Sequence, residues 1–117
     1  MVLRESGRRL GREFELAGIL RPELETGVEG GTVLIAFADA LLGTDVAGLN
    51  RARFALETTL GADAVVAAAA IAANFSKNDR IANAIGIPMD PQFLKGSEDF
   101  RERLGINAFR SARNTLK

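Results

Sequence analysis

An all-α fold is expected from this chain, and three observations predict it. The run from Ala62 to Pro88, ADAVVAAAAIAANFSKNDRIANAIGIP, offers about 24 helix-forming residues before Gly86. Capping residues at Thr32, Thr44, Asp45, Asp90 and Ser97 alternate with glycines at 43, 61, 86, 96 and 105, the order in which helices start and stop. No strand signal, internal repeat or low-complexity tract breaks that pattern.

Residues 2 to 18 place Leu3, Leu10, Phe14 and Ala17 on one side and Arg4, Glu5, Arg8, Arg9, Arg12 and Glu13 on the others, as an amphipathic helix does. Gly7 and Gly11 each weaken it by about 1 kcal/mol relative to alanine and suit a close helix crossing. Arg21 to Gly31, with Pro22 and three glycines, is a connector. Thr32 is placed to cap a helix over 33–42, VLIAFADALL, closed by Gly43. Asp39 is the polar exception there, costly to bury without a partner.

Thr44 and Asp45 offer caps for a helix over 46–60, with Val46, Leu49, Leu56 and Leu60 inward and Arg51 and Glu57 outward. The Ala62 helix follows Gly61. Asp63 in its first turn meets the positive end of the helix dipole, and Gly86 with Pro88 closes it. Its first half is apolar on all sides, so it is expected to be the buried central rod, with Phe75, Ile81 and Ile85 filling the gaps between helices. Phe75→Ala then costs on the order of 3 kcal/mol. Asp90-Pro91 opens a short helix stopping near Gly96, Ser97 caps the next, and Asn107 begins a last helix through Leu116. Leu94, Phe100, Leu104, Ile106 and Phe109 are the residues expected to latch these elements to the core or to a partner.

At 117 residues and 47% hydrophobic, a single domain is expected, with a core over 32–90, an N-terminal helix over 2–18 and C-terminal helices over 91–116. Lysine plus arginine and aspartate plus glutamate both total 15, which disfavours nucleic acid and anionic membranes as partners. The balance is uneven along the chain. Residues 21 to 91 carry five basic against nine acidic residues, and 92 to 117 carry six against three. The chain contains no Cys, His, Trp or Tyr, so thiol chemistry, disulfides, imidazole acid–base work and His/Cys metal sites have no residues to use. No cofactor motif is present, and the opening MVLRESGRRL has no apolar signal-peptide run, so a cytoplasmic protein is expected.

LIAFADALL, a Thr/Asp-capped helix, a Gly-Ala-Asp opening and then AAAAIAANFSKNDRIANAIGIPMD with its Gly-x-Pro exit carry a family likeness over about half the chain. Phe75, Asn78, Arg80, Ala82, Gly86, Pro88 and Asp90 follow the closing pattern of the peroxidase-related branch, with Asp79 intervening between the Asn and the Arg. This stretch resembles the C-terminal half of the alkylhydroperoxidase D-like (AhpD-like), or carboxymuconolactone decarboxylase-like, superfamily. The resemblance implies an orthogonal bundle of about five to six helices that forms homo-oligomers. The family's peroxidase chemistry uses a Cys-x-x-Cys pair with a neighbouring Glu and His, and this chain has neither Cys nor His. A thiol peroxidase reaction by this chain alone is therefore not expected.

Three functional readings follow. The first is a non-catalytic helical module that assembles with itself; the second is a subunit complementing a Cys-bearing relative. The third is a cofactor-free decarboxylase-like enzyme for a small carboxylic acid, with Asp39, Asp79 and Arg80 as catalytic candidates and Asn74, Asn78 and Arg53 as substrate-binding candidates. In it Arg80 or Arg53 grips the carboxylate and Asp39 or Asp79 moves a proton. The architectural alternative for the cluster Asn74, Asn78, Asp79, Arg80 and Asn83 is that Asn78 and Arg80 pin helix ends and a subunit contact, with carboxylate partners such as Asp39 or Asp90.

Overall fold

The computed structural model describes residues 2–116, and the side chains of residues 2–4 lie outside what it describes, among them the expected inward Leu3 and outward Arg4. Among the described residues there is no strand; six α-helices and three 3₁₀ turns account for the regular structure. The helices are α1 (Val2–Arg9), α2 (Gly31–Leu42), α3 (Val46–Leu60), α4 (Ala62–Ile85), α5 (Pro91–Gly96) and α6 (Glu98–Arg103), and the 3₁₀ turns are Leu16–Ile19, Ile106–Ala108 and Arg110–Asn114. The all-α expectation therefore holds. The chain forms two compact units, one of residues 28–78 and one that joins the segment ending at Gly27 to the segment starting at Asp79.

In the 28–78 unit, α2 packs along α3. Phe37 from α2 and Leu56 from α3 are the two buried large side chains, and Leu49 and Leu60 are half-buried as anticipated. The inward expectation fails at Val46, which is 71% exposed at the first turn of α3. Helix α2 starts one residue before Thr32, so Thr32 lies inside it and the cap position falls to Gly30 in a left-handed conformation. Gly30 is required there, because a Cβ would come within 2.6 Å of Leu60 Cδ1. Asp45 does occupy the cap of α3, but its side chain makes no capping bond and instead pairs with Arg51 at 3.5 Å.

Helix α4 has the expected boundaries, and Gly86 follows it at φ +70°. Its expected burial is overturned. No residue of α4 is buried, with Val66, Ile71, Phe75, Ile81 and Ile85 all more than half exposed. The alternation of α2 against α3 has no counterpart for α4, which packs comparably on no other element. An apolar circumference makes burial favourable, but it does not supply the covering helices.

In the other unit, the amphipathic helix expected over 2–18 ends at Arg9. Gly7 explains the reversal: the Phe14 ring lies where its Cβ would stand, 2.6 Å away, so the close approach is made by the chain folding back on itself. The returning segment is held by the Glu15 amide donating to the Thr26 carbonyl at 3.1 Å. Amides spent on such a pairing are lost to the helix ladder. Leu10 is 70% exposed, whereas Phe14 and Ala17 are half-buried.

Asp90 caps α5 as expected, its Oδ1 accepting from the Gln92 amide at 2.8 Å with Pro91 at the first helical position. Helix α6 begins after Ser97 with Glu98 and Asp99 in its first turn, but the Ser97 hydroxyl makes no capping bond. The single helix expected from Asn107 to Leu116 is replaced by two 3₁₀ turns, parted by extended backbone at Phe109. Two of its polar side chains are engaged elsewhere, Asn107 with Arg101 and Thr115 with the Met89 amide at 2.8 Å. Leu94, Phe100, Leu104 and Ile106 are half-buried latches, while Phe109 is 65% exposed.

Candidate functional site

The polar candidates named from sequence sit on open helix surface. Asp39 on α2 and Arg53 on α3 are exposed, and so are Asn74, Asn78, Asp79 and Arg80 on α4. Asn74 Oδ1 accepts from Lys77 Nζ at 3.1 Å, and Asn50 Oδ1 accepts from Arg53 Nη1 at 2.9 Å, both one turn apart on their own helices. Asp39 forms no ion pair with the described residues, and the Asp90 carboxylate is committed to its helix cap. Neither Asp39 nor Asp79 lines any of the three concavities described here, whereas Asn83 lines two of them. Arg53 and Arg80 line none of the three either, so none of these concavities brings a candidate carboxyl and a candidate guanidinium together, as proton transfer to a bound acid requires.

The largest of these three concavities, about 1010 Å³, is lined by α1, residues 11–16, Gly96 at the end of α5, and α6. It is lined by charges of both signs that largely satisfy each other. Glu5 accepts from Arg8 at 2.8 Å and Arg9 at 3.1 Å, and Glu15 accepts from Arg103 at 2.9 Å. The bond from Arg8, then that from Arg9, holds the Glu5 carboxyl below its ordinary range; for Glu15 the Ala17 amide is the first cause and Arg103 the next. These are exposed pairs in water, and such pairs organise little.

A different arrangement occupies the C-terminal segment, and sequence reading missed it. Arg101 is 6% exposed and Ser97 4%, the two buried polar side chains among the described residues. Arg101 Nε donates to Ser97 Oγ at 2.9 Å, Nη1 to Asn107 Oδ1 at 2.7 Å and Nη2 to the Leu94 carbonyl at 2.9 Å. The Ser97 hydroxyl donates to that same carbonyl at 3.2 Å. Leu94 lies in the last turn of α5, where carbonyls have no helical partner, so the guanidinium satisfies an orphan acceptor at the negative end of the helix. The Ser97 side chain is thereby diverted from capping α6. The visible sequence signal was only Ser97 and Arg101 one turn apart, a spacing too common to mark a site.

Arg101 also lines a second concavity of about 350 Å³. Ile87, Pro88, Met89, Leu94 and Ile106 supply apolar wall, Asn107 and Thr115 supply polar edges, and Arg101 is the single charged residue of the lining. Among the described residues no group of three or more Asp, Glu, Cys or His is placed to hold a metal ion, and no helix is long and apolar enough to cross a membrane.

Compared with the models of known protein families, with curated proteins and with solved structures, the chain matches none.

Proposed function

We propose that this chain is a non-catalytic helical module that assembles with further copies of itself through the apolar face of α4, the first of the readings raised by its sequence. The observation that carries it is the exposure of α4. Val66, Ile71 and Phe75 are 69%, 60% and 62% exposed, on a helix that has no charged residue between Asp63 and Lys77. A contiguous exposed apolar surface on a protein is a contact surface awaiting its partner.

A second copy suits that surface for two reasons. The alanines at 67–70, 72 and 73 let another helix approach closely, and two identical uncharged faces meet without the desolvation of an unpaired ion. The formal net charge of zero leaves no long-range repulsion between copies. The 28–78 unit, with Phe37 and Leu56 as its buried large side chains, is also small for a self-sufficient core, and association is the usual remedy. An orthogonal bundle of the alkylhydroperoxidase D-like type, and complementation of a Cys-bearing relative, are finer readings of the same surface.

Light scattering coupled to size exclusion tests the proposal. Wild-type protein is expected to run as a dimer or larger species at micromolar concentration, and Ile71→Asp, at an exposed position, to run as a folded monomer. A wild-type monomer at all concentrations up to the solubility limit removes the proposal.

A further inference from the structure

Burying a guanidinium costs several kcal/mol unless it is compensated, and the usual compensation is a carboxylate. Arg101 is buried without one. Its three hydrogen bonds go to a hydroxyl, an amide oxygen and a backbone carbonyl, all neutral, and it forms no ion pair with a described residue. The charge itself persists, because a guanidinium does not lose its proton in proteins. Of its five N–H groups, three are used. One remains on each of Nη1 and Nη2, the number that the two oxygens of one carboxylate accept.

The surroundings define the rest of the ligand. The 350 Å³ concavity that Arg101 lines falls at the lower end of the roughly 300–1,000 Å³ span of small-molecule sites. Most of its wall is apolar, with Ile87, Pro88, Met89 and Ile106 beside uncharged polar side chains such as Asn107 and Thr115, and no acidic residue lines it to compete for the guanidinium. One positive charge selects a single negative charge. A phosphate dianion would bring more charge than the site balances, and a neutral lipid would leave the buried cation uncompensated.

We propose that the C-terminal segment binds a small organic monocarboxylate with an apolar body, its carboxylate on Arg101 and its hydrocarbon against Ile87, Met89 and Ile106. The site lies on one chain and within one compact unit, so it stands apart from the assembly reading: a monomer that binds, or an oligomer that does not, separates the two.

The test is a titration of ¹⁵N-labelled full chain with octanoate, 1-octanol and inorganic phosphate, followed by amide chemical shifts. Octanoate is expected to saturate with shifts concentrated in residues 82–116, and to bind at least about tenfold more tightly than 1-octanol, the value of one charge-assisted contact. Arg101→Gln should remove that preference for the acid. Because Arg101→Gln also deletes bonds that hold the segment together, Ser111→Trp provides a second arm. Ser111 is exposed, lines the concavity and bonds to none of the Arg101 partners named, so the indole fills the space while Arg101 stays in place. Octanoate affinity should fall at least about tenfold in Ser111→Trp with the helical circular dichroism unchanged. Equal affinity for octanoate and 1-octanol overturns the proposal. So does tighter binding of phosphate, octanoate shifts scattered over the whole chain, or no saturation by about 10 mM, weaker than any useful site.

Discussion

Residues 28–78 bury a phenylalanine and a leucine, whereas the segment after Pro91 buries a serine and an arginine. The first centre forms where two helices of more than ten residues lie side by side and each removes the other's apolar stripe from water. The second forms where elements of three to six residues turn sharply against one another, and where many backbone carbonyls end without a helical partner. Short helices present little continuous apolar surface, so a five-donor side chain that gathers loose acceptors does there what area does in the long pair. The α2–α3 pair is held by what it hides; the short elements are held by what they would leave unsatisfied.

Substitutions can break that contrast. Leu56→Ala should cost the most, about 3 kcal/mol, because the side chain is fully buried and the helices around it close the hole only in part. Urea denaturation followed by circular dichroism measures it. A loss under about 1 kcal/mol would mean that the α2–α3 pair is not a packed centre.

Arg101→Met should cost less, about 2 kcal/mol, since the methionine keeps most of the apolar stem while the Leu94 carbonyl loses its charged donor. Hydrogen exchange should show the opening confined to residues near 94–107, with α2 and α3 protected as before. A variant as stable as the parent would mean that the neutral bonds to Ser97, Asn107 and Leu94 do not organise the segment.

The smallest expected effect sharpens the comparison through pH. Glu15 has its carboxyl lowered from 4.5, first by the Ala17 amide and then by Arg103. A carboxyl whose folded value is depressed contributes stability that is fully present above the unfolded value and disappears as pH falls through the folded one. Wild-type protein should therefore lose a little stability as the pH drops below about 4.5, and Glu15→Gln should lose less over the same range. Thermal unfolding at a series of pH values checks it. Identical slopes for the two proteins would show that this exposed carboxyl is energetically idle.

Much of the local structure was legible in the residues themselves. Gly86 and Pro88 announce the end of α4 because few other residues suit that backbone, and Asp90-Pro91 announces α5 because its acceptor and its missing donor match a helix start. Those signals act over two or three positions and need no distant partner. The failures share the opposite property. The helix expected over 2–18 yielded to a Phe14 ring returning to Gly7, and the last helix yielded to side chains committed across the turn to Arg101 and Met89. The polar residues divide in another way: Asp39, Asp79 and Arg80 stood out in apolar helices and are exposed, while the buried Arg101 drew no notice in a charged short helix.

By itself, then, the sequence determined that this protein is helical, where most helices begin and end, and which thiol and imidazole chemistries it lacks, since propensity, capping and residue type are properties of neighbours along the chain. Only the tertiary structure decided which side chains leave water. Burial needs a second surface, and nothing in the alanines of α4 or in the Ser97–Arg101 spacing says whether one arrives.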